Sequence, residues 1–584
     1  MGLAMRALRW PMRAFGMARR FFRHFLLVLA LCLAAPLTLA FAFPAPAWAG
    51  PAVIDLQQGW RPEEIDLYHH TAEGTNLAPL ALALHLPDPM RPGHRFLEDL
   101  DKRYGFIPSP VSERNPHGLP VGLALDPRPE RFGDRTYLGL TCATCHTREL
   151  RARTMSGPLG LPRTVRLPVH GGPGLVNLPA FDADFYGAFE ALLTDEAALA
   201  RYAAEVLDAP ADAEAIAGVR QEILDLLGPV RATRQAITAM GVAQPDFGPG
   251  NLNALSQGNY NNVGVTAWLA QKGLLPPSGD PPLKIGFEGT VNLPPVWFSH
   301  QDDWAQWFAE IHHPGSRNWV QSVSSSPVRP PRQAAALKAG AIVGSVDFDG
   351  IDAIQEAVDR LRTPRWPASV FGSLDPRLVD QGRGLFGEHC ASCHVSTRGP
   401  ANGAGRRFRQ RHAYAVGTDP VAVEQFAAGA ERRAAGLTRL SEGILRLRHA
   451  QLLKRFNDDA TLVANTELAD SKGLPNRFGL ARDETGASGA AYWSSNLEGI
   501  FASSPYLHNG SVRTLPDLLT PPAQRPTQFR TGTNLYDPRQ LGLRNEGPFL
   551  YDTRETGKSA QGHDYGTNLP REQKRALLEY LKSL

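Results

Sequence analysis

Two short motifs each combine two thiols with an imidazole. TCATCH occupies residues 141–146 and CASCH occupies residues 390–394. Each motif places two cysteines three positions apart and a histidine directly after the second cysteine. This is the pattern of c-type haem attachment, in which the thiols bond the two vinyl groups and the histidine binds the iron. Because one motif needs three groups within five residues, two chance occurrences are negligible.

Two other kinds of site use the same residue types. A structural zinc site needs four protein ligands in tetrahedral geometry, so the two motifs would have to meet in space. A redox dithiol needs neither the histidine nor the repeat. The pattern therefore favours two covalent haems, with zinc and dithiol chemistry as the alternatives. The predicted cofactor-binding residues are Cys142, Cys145, His146, Cys390, Cys393 and His394.

The first 49 residues have the composition of a secretory signal. Six arginines precede a long apolar run, which Ala47-Trp48-Ala49 follows as a small-x-small cleavage pattern. We expect cleavage and a periplasmic or secreted protein without a transmembrane segment; an uncleaved membrane anchor is the alternative. Cleavage would also remove Cys32. The remaining four cysteines all lie in the two motifs, which leaves no thiol for a structural disulfide.

The net charge argues against a nucleic-acid partner. The full chain has a formal charge of +3. Residues 1–49 contribute six arginines and no acidic residue, so the chain without them carries −3. The apparent basicity thus belongs to the signal, and no basic surface for nucleic acid is predicted.

The length of 584 residues predicts more than one domain. Helical spacing of apolar residues appears at 182–207 and 211–240, and 376–386 reads as a helix capped by Asp375 that leads into the second motif. A further amphipathic helix closes the chain after Pro570. We therefore predict a mainly α fold with two cytochrome c-like haem domains, long loops and little β structure. The predicted units are a signal (1–49), an N-terminal haem domain with insertions (50–290), a connecting aromatic and proline-rich segment (291–370) and a C-terminal cytochrome c domain (371–584).

The sixth iron ligand decides what each haem can do. Two strong axial ligands favour electron transfer, whereas an open position admits O2 or peroxide. Methionine is a common sixth ligand, but the chain has none after Met240. The second haem must therefore take another ligand if it uses its own domain.

Longer motifs around both cysteine pairs resemble a known group of proteins. GLPVGLAL (118–125), LTCATCHTREL (140–150) and HGGPG (170–174) resemble the N-terminal half of the bacterial di-haem cytochrome c peroxidase superfamily. CASCH, SSPYLHNGSVRTLPDLL (503–519) and GHDYGTNLPREQKRALLEYLKSL (562–584) resemble its C-terminal half more strongly. The resemblance is closest to the rubber-oxygenase-like branch. It implies an oxidoreductase, and it also implies a calcium ion between the haem domains, although no acidic loop of recognisable spacing marks one.

Two departures from the peroxidases bear on the axial ligands. Pro522 stands where their second haem has a methionine, and the matching histidine of the rubber-oxygenase-like branch is His563. Pro162 stands where peroxidases often carry a distal histidine, and His170 is the nearest replacement. The resemblance thus adds His563 to His146 and His394, the metal ligands that the two motifs predict. The missing distal histidine predicts a first haem that is open to a small ligand.

Three further residues are predicted to act near the haems. Trp297 and Trp304 belong to the aromatic segment 294–308 and could assist electron transfer, although a tryptophan cluster is more often core. His508 is predicted to shape a haem pocket or bind its propionates. The predicted function is an exported di-haem oxidoreductase that acts on H2O2, or on O2 with an apolar organic substrate. Its expected partner is a small cytochrome c or cupredoxin, and a pure electron carrier is the alternative.

Overall fold

The computed structural model describes most of the chain after residue 50. The described residues are 51–128, 135–154, 163–244, 246–252, 286–297, 346–394, 416–427 and 492–584, with single residues and short pieces at 271, 299, 304–305, 307, 311–312, 318 and 413–414. The predicted signal (1–49) lies outside this part. Within it, no helix is both long enough and apolar enough to cross a membrane.

The first half of the described chain alternates short strands with helices. Its helices are α1 (Pro62–His70), α2 (Leu80–His85), α3 (Leu100–Tyr104), α4 (Cys142–Cys145), α5 (Leu178–Leu192), α6 (Glu196–Leu207) and α7 (Ala213–Ala239). Its strands are β1 (Ala52–Val53), β2 (Thr75–Pro79), β3 (Leu123–Asp126), β4 (Tyr137–Leu140), β5 (Thr147–Thr154), β6 (Arg163–His170) and β7 (Asn251–Leu252).

The second half has shorter elements. Its helices are α8 (Phe348–Arg360), α9 (Ala368–Phe371), α10 (Pro376–His389), α11 (Val421–Ala427), α12 (Leu515–Leu518) and α13 (Arg571–Ser583). Its strands are β8 (Val291–Asn292), β9 (Trp304–Ala305), β10 (Ile311–His312), β11 (Ala413–Tyr414), β12 (Tyr492–Trp493), β13 (Gln528–Thr531), β14 (Tyr536–Asp537), β15 (Gly542–Leu543) and β16 (Phe549–Asp552).

The fold is mixed α/β, so the prediction of a mainly α protein is wrong. Helices hold 39% of the described residues and strands hold 16%, spread over several small sheets. The largest departure is the hairpin of β5 and β6, which pairs Thr147 with His170 and Thr154 with Arg163. Its sequence already alternates, since Val165, Leu167 and Val169 are all buried at every second position. A period of two predicts a β-strand, whereas the helical spacing on which the mainly α prediction rests lies in other segments.

The predicted helices are confirmed with small changes. The segment 182–207 forms two helices, α5 and α6, and Asp195 begins the second by accepting from the backbone N–H of Ala198 at 2.9 Å. The segment 211–240 forms α7, capped by Asp212. Asp375 caps α10, accepting from the N–H of Arg377 at 2.9 Å.

The closing helix α13 packs across α10, which leads into the second motif. The contact is close because Gly382 of α10 faces the backbone of α13, where an added Cβ would meet the carbonyl oxygen of Ala576 at 2.1 Å. Phe386 packs on Tyr580 with ring centroids 5.3 Å apart. The backbone N–H of Asp375 also donates to Glu579 Oε1 at 2.9 Å. The last helix thereby fixes the direction from which the second motif leaves α10.

Two main apolar cores organise the described residues. The first joins α2, α3 and α5–α7 around Phe96, Phe181 and Phe185. The second joins the β5–β6 hairpin to α10, α13 and the segment around Phe501. Residues close to the first motif therefore share a core with the C-terminal part of the chain. Two separate haem domains are not shown, and the boundaries at 290 and 370 stay predictions.

Candidate haem-binding site

The first motif forms a single helical turn. Cys142 begins α4 and Cys145 ends it, and the backbone N–H of His146 donates to the carbonyl oxygen of Cys142 at 2.9 Å. Both cysteines are free thiols and partly buried. From α1, Tyr68 covers the turn, and its hydroxyl donates to the carbonyl oxygen of His146 at 3.3 Å. The turn thus gathers the three predicted haem-binding residues in one place.

The second motif forms a similar turn at the end of α10. The backbone N–H groups of Cys393 and His394 both donate to the carbonyl oxygen of Cys390, at 3.1 and 2.9 Å. Both cysteines are again free and partly buried. In both motifs, far apart in sequence, the backbone N–H of the histidine therefore donates to the carbonyl oxygen of the first cysteine.

Both motif histidines are oriented by a backbone carbonyl. His146 Nδ1 lies 2.9 Å from the carbonyl oxygen of Pro294, and His394 Nδ1 lies 2.8 Å from that of Ser495. A carbonyl oxygen only accepts, so each Nδ1 carries the proton and donates it. Each imidazole then presents Nε2 as the unprotonated nitrogen, which is the usual arrangement of a metal-binding histidine. Both residues fit the role of a proximal haem ligand.

His563 lies opposite His394. Their ring centroids are 6.2 Å apart with an interplanar angle of 51°. An iron bound by two opposite imidazoles holds the ring centres roughly 6 Å apart, since each metal–nitrogen bond is about 2 Å. His563 Nδ1 is also buried without a hydrogen-bond partner among the described residues. Burial lowers the pKa of His563 to about 4, which keeps the imidazole neutral and able to bind metal.

The loop that carries His563 is stabilised by hydrogen bonds to its backbone atoms. His563 has a positive φ of 48°, a conformation that costs a non-glycine residue of order 1 kcal/mol. Arg525 compensates by donating to the carbonyl oxygens of Gly562 and His563, both at 2.8 Å. The N–H of His563 donates to the carbonyl oxygen of Val416 at 2.9 Å. These contacts hold the backbone that carries the His563 ring.

His508 is connected to the first motif. Its ring is buried and stacks on Tyr492 with centroids 3.8 Å apart. Its carbonyl oxygen accepts from the N–H of Asn292 at 2.6 Å, two residues before the proline that orients His146. Burial lowers the pKa of His508 to about 3, and within the described residues its Nε2 has no partner. Its predicted action near a haem stays a prediction.

Trp297 joins the segments that orient the two motif histidines. It follows Pro294 closely in sequence, and its indole N–H donates to the carbonyl oxygen of Glu498 at 3.1 Å. Glu498 follows Ser495, which orients His394. The indole ring is 1% exposed and packs on Gly171, Gly172 and Gly499. Trp304 forms β9 with Ala305, and its side chain lies outside the described residues.

His170, the nearest candidate for a distal ligand of the first haem, pairs with another histidine. Its Nδ1 lies 3.2 Å from His69 Nε2. Burial lowers the pKa of both rings, that of His170 to about 4. His69 was not among the predicted site residues, because the Tyr-His-His run at the end of α1 indicates no particular chemistry.

Burial raises the pKa of two of the four motif thiols, to about 12 for Cys145 and to about 11 for Cys390. Cys142 donates its S–H to Glu73 at 2.8 Å, and burial raises the pKa of this carboxyl group. Such thiols differ from the low-pKa thiolates of redox dithiols. Among the described residues, no group of three or more His, Cys, Asp and Glu could hold a metal ion.

Comparison with known proteins indicates a c-type cytochrome. Residues 491–530 match the family model described as RoxA-like, cytochrome c-like. This segment contains β12, His508 and α12. The match supports the rubber-oxygenase-like cytochrome family and a c-type cytochrome oxidoreductase with c-type haem; it does not show membership of the di-haem peroxidase superfamily.

Two similar proteins come from Sinorhizobium fredii (strain NBRC 101917 / NGR234). Uncharacterized protein y4iJ is 27% identical over 91% of this chain and 93% of its own length. Uncharacterized protein y4iM is 26% identical over 48% of this chain and 58% of its own length. The similarity to y4iJ therefore covers nearly the whole of both chains, whereas y4iM matches about half.

Proposed function

We propose that this protein is an exported di-haem c-type cytochrome oxidoreductase. In this proposal the C-terminal haem relays electrons, and the N-terminal haem activates H2O2 or O2. The supporting observation is the proximity of His394 and His563, whose ring centroids lie 6.2 Å apart, so that both imidazoles could hold one iron.

The cysteines and histidines named above have separate roles at the two proposed haems. Cys390 and Cys393 would attach the second haem, and His394 and His563 would be the ligands of its iron. Cys142 and Cys145 would attach the first haem, and His146 would bind its iron. An iron with two histidine ligands exchanges electrons, and one with an exchangeable position reacts with peroxide or dioxygen.

Two observations support an exchangeable position at the first haem. Pro162 replaces the distal histidine that the peroxidases often have. His170, the nearest alternative, already hydrogen-bonds to His69. A small ligand could then reach the iron, with an external cytochrome c or cupredoxin as the electron donor. The absent methionine ligand and His563 favour the oxygenase-like chemistry over the standard peroxidase.

Trp297 would connect the two haems. His146 donates a hydrogen bond to Pro294, which lies three residues before Trp297. The indole N–H of Trp297 donates to Glu498, which lies three residues after Ser495. This route uses short covalent segments and three hydrogen bonds between the two proximal histidines. We therefore assign Trp297 a role in electron transfer, together with its role in the core. Export, a bound calcium ion and actions of His508 and Trp304 belong to the same proposal.

The test records absorption spectra of the reduced protein after mixing with three different reactants. The reduced protein is mixed with O2, with H2O2, and with H2O2 plus reduced cytochrome c. Stable O2 binding without peroxide turnover supports an oxygenase, and rapid oxidation of the donor cytochrome supports a peroxidase. If the protein only exchanges electrons with these reactants, without binding O2 and without turning over H2O2, the proposal of an enzyme is wrong. The protein would then be an electron carrier.

A further inference from the structure

Tyr565 is an aromatic side chain at the protein surface, two residues after His563. It is 44% exposed, and no other Phe, Tyr or Trp side chain that the structure describes is as exposed. Single apolar side chains on a surface are common, so exposure alone indicates no function. The position of this ring relative to the second motif gives the exposure a meaning.

The ring of Tyr565 contacts the ring of His563. Their centroids lie 5.5 Å apart with an interplanar angle of 78°, which is the edge-to-face arrangement that aromatic rings favour. The His563 ring in turn lies 6.2 Å from that of His394. Three neighbouring rings therefore lead from the surface to the histidine of the second motif.

The turn that carries Tyr565 has a fixed backbone. The carbonyl oxygen of Asp564 accepts from both the N–H and the hydroxyl group of Thr567, at 3.3 and 2.7 Å. The N–H of Leu569 donates to the carbonyl oxygen of Gly566 at 3.3 Å, and Gly566 has a positive φ of 72°, which glycine adopts without strain. A surface ring on a rigid turn loses little conformational entropy when a partner covers it.

The charges next to Tyr565 offset each other. Asp564 is exposed, and the guanidinium group of Arg525 lies near enough to interact with its carboxylate. Without an excess of one sign, this turn does not attract a partner by long-range charge. Tyrosine is instead enriched in the centres of protein interfaces, where it supplies a rigid contact area. The turn therefore fits a partner whose contact patch is apolar and uncharged.

We propose that Tyr565 is the contact point for a small electron-transfer protein with such an apolar patch. This inference rests on the proposed function and gives its external electron donor a place on the surface. One electron leaves the reduced partner, which becomes oxidised, and the second haem changes from ferric to ferrous; no bond forms or breaks. A single exposed ring agrees with the small interfaces, below about 1,200 Å², of transient redox encounters.

The experiment compares Tyr565→Ser, which removes the ring, with Tyr565→Phe, which keeps it. Leu550→Ser is the control, because Leu550 is a 48% exposed apolar residue on β16. The probe is a cupredoxin with an apolar contact patch, and a lysine-rich cytochrome c is the comparison. Calorimetry with the zinc form of the cupredoxin measures Kd without electron transfer. Stopped-flow absorbance with its reduced copper form measures the rate of haem reduction.

We expect Tyr565→Ser to weaken binding and to slow reduction by about tenfold each, as is typical when a central aromatic side chain is removed from an interface. Tyr565→Phe and Leu550→Ser should match the wild type. An increase in salt from about 50 to about 500 mM should change Kd by less than about twofold, because exposed charges contribute little. Equal binding by wild type and Tyr565→Ser would overturn the proposal. Tighter binding of the cytochrome c, independent of the ring, would overturn it as well.

Two further measurements distinguish docking from a role inside the protein. Dithionite reduces the haems without a docking surface, and the low-spin electron paramagnetic resonance signal reports the ligands of the second iron. A change of either one in Tyr565→Ser would overturn the proposal, because Tyr565 would then act by positioning His563. Haem-free wild-type protein, detected by intact mass, would reject the proposed function itself. Haem-loaded protein whose binding does not depend on the ring would reject this inference alone.

Discussion

The indole N–H of Trp297 donates to the carbonyl oxygen of Glu498 at 3.1 Å across 201 residues of sequence. The hydrogen bond links the segment that orients His146 to the segment that orients His394. The two motif histidines are therefore coupled through a few backbone and side-chain bonds. This coupling is the structural basis for the proposed electron transfer between the two motifs.

Trp297→Phe should slow electron transfer between the haems at least tenfold. The substitution keeps an aromatic ring but removes the N–H that contacts Glu498, and it leaves a gap against Gly171 and Gly499. Flash reduction followed by absorbance changes of the two haems measures the rate. The matched control is Trp366→Phe in the same core, whose N–H donates to the carbonyl oxygen of Gly372. Equal rates in both variants would exclude Trp297 from the route.

Each cysteine pair should hold one haem. The double variant Cys142→Ala/Cys145→Ala should contain half of the wild-type covalent haem, because each thioether needs its own thiol. The double variant Cys390→Ala/Cys393→Ala should likewise retain only the other haem. Intact mass and the alkaline pyridine spectrum measure the content. Full haem content in either double variant would contradict the attachment of one haem to that motif.

The contact between α10 and α13 gives a prediction about stability. Gly382→Ala should lower the free energy of unfolding by about 1–3 kcal/mol, since the added Cβ meets the Ala576 carbonyl oxygen. Gly384→Ala is the control on the same helix, because its Cβ would meet nothing within 4 Å. That change should raise stability by roughly 0.5–1 kcal/mol. Thermal unfolding of both variants measures the difference, and a loss in Gly384→Ala equal to that in Gly382→Ala would contradict the close packing.

Buried His508 should make stability depend on pH. Burial lowers its pKa to about 3 in the folded protein, whereas an unfolded histidine titrates near 6.5. Between these values the unfolded chain binds the extra proton, so stability is full above pH 6.5 and falls as the pH decreases toward 3. The slope from one such group is at most about 1.4 kcal/mol per pH unit.

Replacement of the histidine tests this pH dependence. His508→Gln should reduce the slope of unfolding free energy between pH 6.5 and 4.5, as measured by denaturant titration at each pH. The control is His117→Gln, at an exposed histidine whose side chain has no hydrogen bond or ion pair among the described residues. This variant should leave the slope unchanged. A slope that is the same in His508→Gln and the wild type would show that other groups dominate the acid sensitivity.

Local signals in the sequence predicted local structure well. Asp375 and Pro376 marked the start of α10, and Pro570 marked the start of α13, because helix caps depend on a few neighbouring residues. The CxxCH turns follow from their own spacing. His563 as a ligand came from the resemblance, and its facing of His394 is consistent with that expectation.

Contacts between distant segments could not be predicted in the same way. The carbonyl of Pro294 lies 148 residues from His146, and that of Ser495 lies 101 residues from His394. A backbone carbonyl has no sequence signature, so only the fold reveals these partners.

The central claim is that His394 and His563 bind one iron, and low-temperature electron paramagnetic resonance tests it most directly. Spectra of the oxidised protein and of the protein after addition of one electron are compared between wild type, His563→Ala and the control His508→Ala. We predict a low-spin signal from the second haem that becomes high-spin in His563→Ala alone. A high-spin signal already present, or appearing at half-reduction, would come from the first haem. An unchanged low-spin signal in His563→Ala would contradict the account.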